Sequence, residues 1–180
     1  MNKQAMSIEQ HDRAISANKV RLSEAKEAVH ADERLTEHGK AERVRELREA
    51  AQAKHAELLT GREAAVKAER ERLYSVAFRR GIASVDSYRD VYGRAYRADQ
   101  RELETLKGQA ERTGDVMLGK AVQQAAYDRG LDALLEDAPR EVHDLRDFEH
   151  AQGLRHNPLG DHSVELTRRL GLSMMRSMPT

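Results

Sequence analysis

Histidine and carboxylate are the side chains in this sequence that could hold a metal, and they crowd toward its C-terminal end. His143, His150, His156 and His162 stand among Asp144, Asp147, Glu149 and Asp161. A helix ligates a metal with side chains three or four positions apart. These histidines are six or seven apart, across glycine and proline breaks, so they read as solvated or capping groups. Glu27-Ala-Val-His30 has the right spacing, but a di-metal site in a helical bundle needs such a pair on each of two helices, and this is one copy. Gly114, Gly119 and Lys120 resemble a phosphate loop only superficially. The loop requires Ser or Thr where Ala121 stands, and no strand precedes it. Glu136 and Asp137 are adjacent carboxylates with no strand-rich scaffold to set a general acid and base apart, and they read as surface. The expectation is a chain that is not an enzyme and carries no cofactor and no metal.

Two further groups could bind something larger. Tyr88, Tyr92 and Tyr96 recur one helical turn apart, a spacing that suits stacking on bases and equally a helix face packed on its neighbour. Packing is the reading taken, and Tyr88, Tyr92 and Tyr96 join Leu103, Leu106 and Val122 as the expected core. Near the C-terminus Leu170, Leu172, Met174, Met175 and Met178 form an apolar cluster beside Arg168 and Arg169. Methionine adapts to binding grooves, so this cluster is the expected partner-docking element, the other reading being a tail folded onto its own core.

The elements that must position these groups read as helical. The first 138 residues contain no proline, and the first 80 only two glycines, Gly39 and Gly61; both residue types oppose helix, so their scarcity permits long helices. Leu, Ile, Val and Phe total 34 of the 180 residues, while 31 basic side chains balance 31 acidic ones. That combination describes solvated helix laced with opposite charges. The absence of cysteine removes disulfides and thiol chemistry.

Three regions follow. Residues 1–72 read as a charged helical arm opened by a Ser7/Gln10 capping box. Ile8, Ile15, Leu22 and Val29 recur every seven residues, but the positions that would complete a coiled-coil seam are mostly polar, among them His11 and Asn18. This stripe is the expected oligomer contact, since a helix with so little to bury needs copies of itself or a partner. A break is predicted at His38-Gly39. Beyond it Val44, Leu47, Ala51 and Leu58 are followed, past Thr60-Gly61, by an out-of-phase line of Leu59, Val66 and Leu73, which leaves residues 40–80 readable as one helix or two. Residues 73–135 read as the helical core. One apolar stripe runs from Tyr88 to Ala110, Thr113-Gly114-Asp115 makes a turn, and a second helix to Arg129 folds back antiparallel. Residues 136–180 read as short C-terminal helices and the docking tail, the first helix starting at Ala138-Pro139 and ending at Gln152-Gly153.

The expected fold is therefore all-α: a long charged N-terminal helical arm, a central antiparallel helical hairpin, short C-terminal helices and a tail. No run approaches a membrane span and the N-terminus has no apolar leader core, so the expected location is the cytoplasm, or the inside of a virus particle assembled there. In composition and layout over most of its length the chain resembles the helical assembly proteins of tailed bacteriophages, of the scaffolding or head-interior kind. Lys40 to Arg72 matches their long Ala/Glu/Arg-rich helices, and Ser163 to Arg169 their short basic C-terminal element. The resemblance implies a structural protein that associates with itself, with another structural protein, or with both, through its C-terminal element. The alternative expectation is a helical adaptor or regulatory module that binds a partner protein or nucleic acid. Neither reading involves a membrane.

Overall fold

A computed structural model describes residues 6–154. The docking cluster Arg168, Arg169, Leu170, Leu172, Met174, Met175 and Met178 lies outside the described residues, as do His156 and His162. Among the described residues the chain is all-α, with six α-helices and no strand. It divides after Glu69 into two compact units.

The first unit is an antiparallel helical hairpin. Helix α1 (Ile8–Ala31) begins at the predicted capping box, with the Gln10 amide donating to Ser7 Oγ at 3.2 Å and the Ser7 amide to Gln10 Oε1 at 2.8 Å. Helix α2 (Glu37–Tyr74) runs 38 residues, about 57 Å at the α-helical rise, and supplies its last turn to the second unit. The break falls at residues 32–36 and not at His38-Gly39. Asp32 Oδ1 accepts from the Arg34 amide at 2.9 Å, and Thr36 Oγ1 caps the Gly39 amide at 3.1 Å. The first contact closes the turn and the second satisfies a free amide of the new helix, which places Gly39 in its first turn. Helix α2 continues without interruption through Thr60-Gly61, so the second apolar line is another face of the same helix.

The second unit is built around α5 (Val116–Asp128), on which Ala121, Ala125 and Ala126 are fully buried. Methyl side chains let neighbouring axes approach closely. Helix α4 (Gln100–Thr113) folds back on α5 through Gly114, whose φ of 66° is the left-handed cap that glycine adopts without strain. This pair is the predicted antiparallel hairpin. The long stripe from Tyr88 to Ala110 is not one helix, however. Asp99 and Glu102 form a capping box that ends α3 (Val85–Arg97) and starts α4, and Arg129 Nη1 holds the Ala98 carbonyl between them at 2.6 Å. A π-helical turn, Ser75–Arg79, ends α2 and seats Phe78, which is fully buried. A 3₁₀ turn (Asp132–Leu135) and α6 (Arg140–Ala151) complete the unit, and Val142 and Leu145 are fully buried.

Gly108 lies inside α4, where an added Cβ would meet only the guanidinium end of Arg112 at 3.8 Å. Gly108→Ala is therefore expected to stabilise the protein by about 0.5–1 kcal/mol through backbone entropy alone, read as a rise in urea midpoint.

Candidate functional site

Polar side chains converge inside the second unit on two residues of α5 one turn apart. Tyr88 Oη donates to Gln124 Oε1 at 2.6 Å, and Gln124 Nε2 donates to Tyr74 Oη at 2.7 Å. Tyr74 Oη in turn donates to Asp128 Oδ1 at 3.1 Å, and Tyr92 Oη donates to Asp128 Oδ2 at 2.7 Å. The path joins the end of α2, α3 and α5. Helices α3 and α5 lie parallel, since a step of four from Tyr88 to Tyr92 matches a step of four from Gln124 to Asp128. Below this network Tyr74, Phe78 and Tyr127 pack edge to face or tilted, with ring centroids 5.0–5.9 Å apart.

A second polar contact fastens α6. Glu149 is 3% exposed and takes Arg70 Nε at 2.6 Å, with the Tyr127 hydroxyl turned to the same carboxylate. Burial works against the charge of Arg70, but the hydrogen bond and charge of Glu149 outweigh it and leave its pKa above the ordinary value.

Burial raises the pKa of Tyr74, Tyr88, Tyr92 and Tyr127; the Asp128 charge adds to it for the first three, and Glu149 for the last. A tyrosine whose folded pKa is raised contributes stability that is complete below its unfolded pKa of about 10 and is lost as pH climbs beyond it. On alkaline titration the tyrosinate absorbance of these four residues is expected to appear together with loss of helical circular dichroism. Ionisation of all four while the helix signal holds would contradict the network.

The expected core residues are placed unequally. Leu103 and Val122 are buried to 1% exposure or less, Leu106 and Tyr88 are buried, and Tyr92 packs half-buried against the core. Tyr96 is exposed at 39% and is not a core residue. Each step of four advances about 40° around a helix, so Tyr96 has rotated past the contact while Ala95, seven positions from Tyr88, returns to it and is fully buried. Its ring rests on Tyr92 at 5.7 Å.

In the first unit, Ile8, Ile15, Leu22 and Val29 are each half-buried. The polar positions between them make the directed contacts of the hairpin. His11 lies against Gly61, Asp12 Oδ1 accepts from Arg62 Nε at 2.6 Å, and Asn18 Nδ2 donates to the Ala51 carbonyl at 3.0 Å. His55, on α2, is 7% exposed. Burial, followed by the charge of Lys19, holds its pKa below the ordinary value.

No protein-family model, curated protein or solved structure matches this chain. Its reading rests on its own geometry. Among the described residues no group of three metal-ligating side chains comes together, and no helix is long and apolar enough to cross a membrane. His143 is half-buried and His150 exposed on α6, Glu27 and His30 are exposed on α1, and Glu136 and Asp137 are exposed. Lys120, in the stretch that resembles a phosphate loop only superficially, donates to the Arg80 carbonyl.

Sequence reasoning passed over His11, Asn18, His55, Gln124 and Asp128. The signal for the last two was polarity inside the small-residue run Ala121–Ala126 and just past it. For His11 and Asn18 it was their place at the vacant line of the heptad.

Proposed function

We propose that this chain is a structural protein without turnover, which self-associates or docks on a larger protein assembly, and that a bacteriophage virion or head-assembly component is the setting its layout suits. The observation that supports self-association is the stripe on α1. Ile8, Ile15, Leu22 and Val29 remain half-buried after α2 has packed. A partly exposed apolar line thus runs along about 32 Å of helix, and exposed apolar surface of this kind marks a place for a second surface. Exposed ion pairs line α2. Arg43 with Glu46 and Lys54 with Glu57, at 2.7 and 2.8 Å, are exposed pairs that hold solubility and partner register more than stability.

The test is absolute mass by light scattering on the full chain, at low and high salt. A discrete oligomer whose population responds to salt is the expected result, and deletion of residues 173–180 is expected to abolish assembly or docking with helix content nearly unchanged. A compact monomer at every concentration and salt would overturn self-association and leave the adaptor reading, in which the hairpin meets a different partner.

A further inference from the structure

The hairpin seam contains two buried imidazoles, and both are anomalous in the same way. His11 is 9% exposed and His55 7%, and the Nδ1 atom of each is enclosed with no hydrogen-bond partner. A neutral imidazole tolerates this, because the enclosed nitrogen is an acceptor left unused. An imidazolium at His55 does not. Both of its nitrogens are donors, and the Nδ1 proton would sit in a closed space with no acceptor while the charge is stripped of water.

The charged groups around the seam offer no relief. From α1, Lys19 bears on His55 with a charge of the same sign. On α2, Lys54 beside it is held by Glu57 at 2.8 Å. Near His11, Arg62 comes across from α2 and is bound to Asp12 of α1 at 2.6 Å, so that carboxylate is already engaged. The packing is as tight as the electrostatics are unfavourable: the His11 ring fills the notch left by Gly61, where a Cβ would come within 2.4 Å of Cε1.

We propose that the α1–α2 hairpin is an acid-sensitive clasp, in which proton uptake at His55, beside Lys19 and with no acceptor for its Nδ1 proton, releases α1 from α2 and bares Ile8, Ile15, Leu22 and Val29. The clasp is a property of one chain and holds whether or not copies associate. The direction follows from linkage. A histidine whose folded pKa is depressed leaves the unfolded segment binding more protons in the window below about 6.5, so hairpin stability is complete above that pH and falls as pH drops through the window toward the folded value.

The test is amide hydrogen exchange on the dilute full chain at about pH 7.5 and about pH 5.5, corrected for intrinsic exchange. One histidine with an unfolded pKa near 6.5 and a strongly depressed folded value lowers protection by up to about tenfold across that interval. The expected result is a loss of protection, bounded at about tenfold, in peptides from residues 8–31, with residues 116–128 nearly unchanged. His55→Leu is expected to flatten the loss, and the exposed control His38→Gln to keep it. Equal protection of residues 8–31 at both pH values, or a full loss in the His55→Leu protein, would overturn the clasp. Should His55→Leu lose its helix, NMR titration of the wild-type imidazoles decides. Midpoint below 6.5 for His55 with α1 resonances changing in step supports the clasp, and a midpoint at or above 6.5 overturns it.

Discussion

Gly61→Ala is expected to weaken the α1–α2 hairpin by about 1–2 kcal/mol, although the same change in an open helix interior stabilises by about 1 kcal/mol. The difference is His11. A methyl at position 61 would stand 2.4 Å from its Cε1 atom, more than an ångström inside van der Waals contact. The ring cannot swing aside cheaply because it is buried and its neighbour Asp12 is tied to Arg62. Either α1 lifts or the His11 rotamer is forced, and overpacking of this kind costs about 1–3 kcal/mol. A double-mutant cycle isolates the contact. In a His11→Ala background the notch is empty, and Gly61→Ala is expected to turn stabilising by about 1 kcal/mol. Urea denaturation of the four proteins, with hydrogen exchange in residues 8–69 to locate the effect, checks the sign change. A Gly61→Ala protein as stable as the parent while His11 is present would mean that the two helices do not meet there.

The second large effect lies at the buried carboxylate of Glu149. Arg70→Ala is expected to destabilise the protein by about 3 kcal/mol, the lower end of what losing one partner of a buried ion pair costs. Glu149 is the enclosed member, its side chain 4% exposed against 49% for Arg70. Removing the arginine strands a carboxylate away from water without the cation that compensates it. Glu149→Gln removes the charge that needed compensation and frees an arginine that can hydrate where it stands. That change is expected to cost about 1–2 kcal/mol. The order of the two, more than either magnitude, tests the arrangement. Equal losses on chemical denaturation would place Glu149 in contact with solvent.

Local signals in the sequence located several helix ends correctly. The Ser7/Gln10 capping box, the Gly114 cap with Asp115 behind it, and Pro139 before α6 all act within four residues of themselves, and such signals survive in any tertiary context. All-α character followed from the scarcity of helix-breaking residues before Pro139. The Asp99/Glu102 capping box was equally local, yet the apolar line from Tyr88 to Ala110 reads as one helix until α3 is seen to turn away. At His38-Gly39 glycine suggested a break, whereas the hydroxyl of Thr36 and the carboxylate of Asp32 made one earlier.

Tertiary structure decided the rest, because the meaning of a polar residue depends on what stands opposite it. His11 and Asn18 look like defects in a heptad until Gly61 and the Ala51 carbonyl, 50 and 33 residues away, receive them. Tyr74, Tyr92 and Asp128 show no relation along the chain, and they meet only because alanines on α5 let the helices approach closely enough to share one carboxylate. Tyr96 repeats the spacing of its neighbours and is exposed all the same, since steps of four drift about 40° around the helix and Ala95 takes the buried position at that level. Hydrophobic periodicity records which face of a helix can be buried. The distance, register and chemistry of the facing surface determine which polar groups are enclosed with it, and the acid sensitivity proposed for the hairpin depends on that second set of facts.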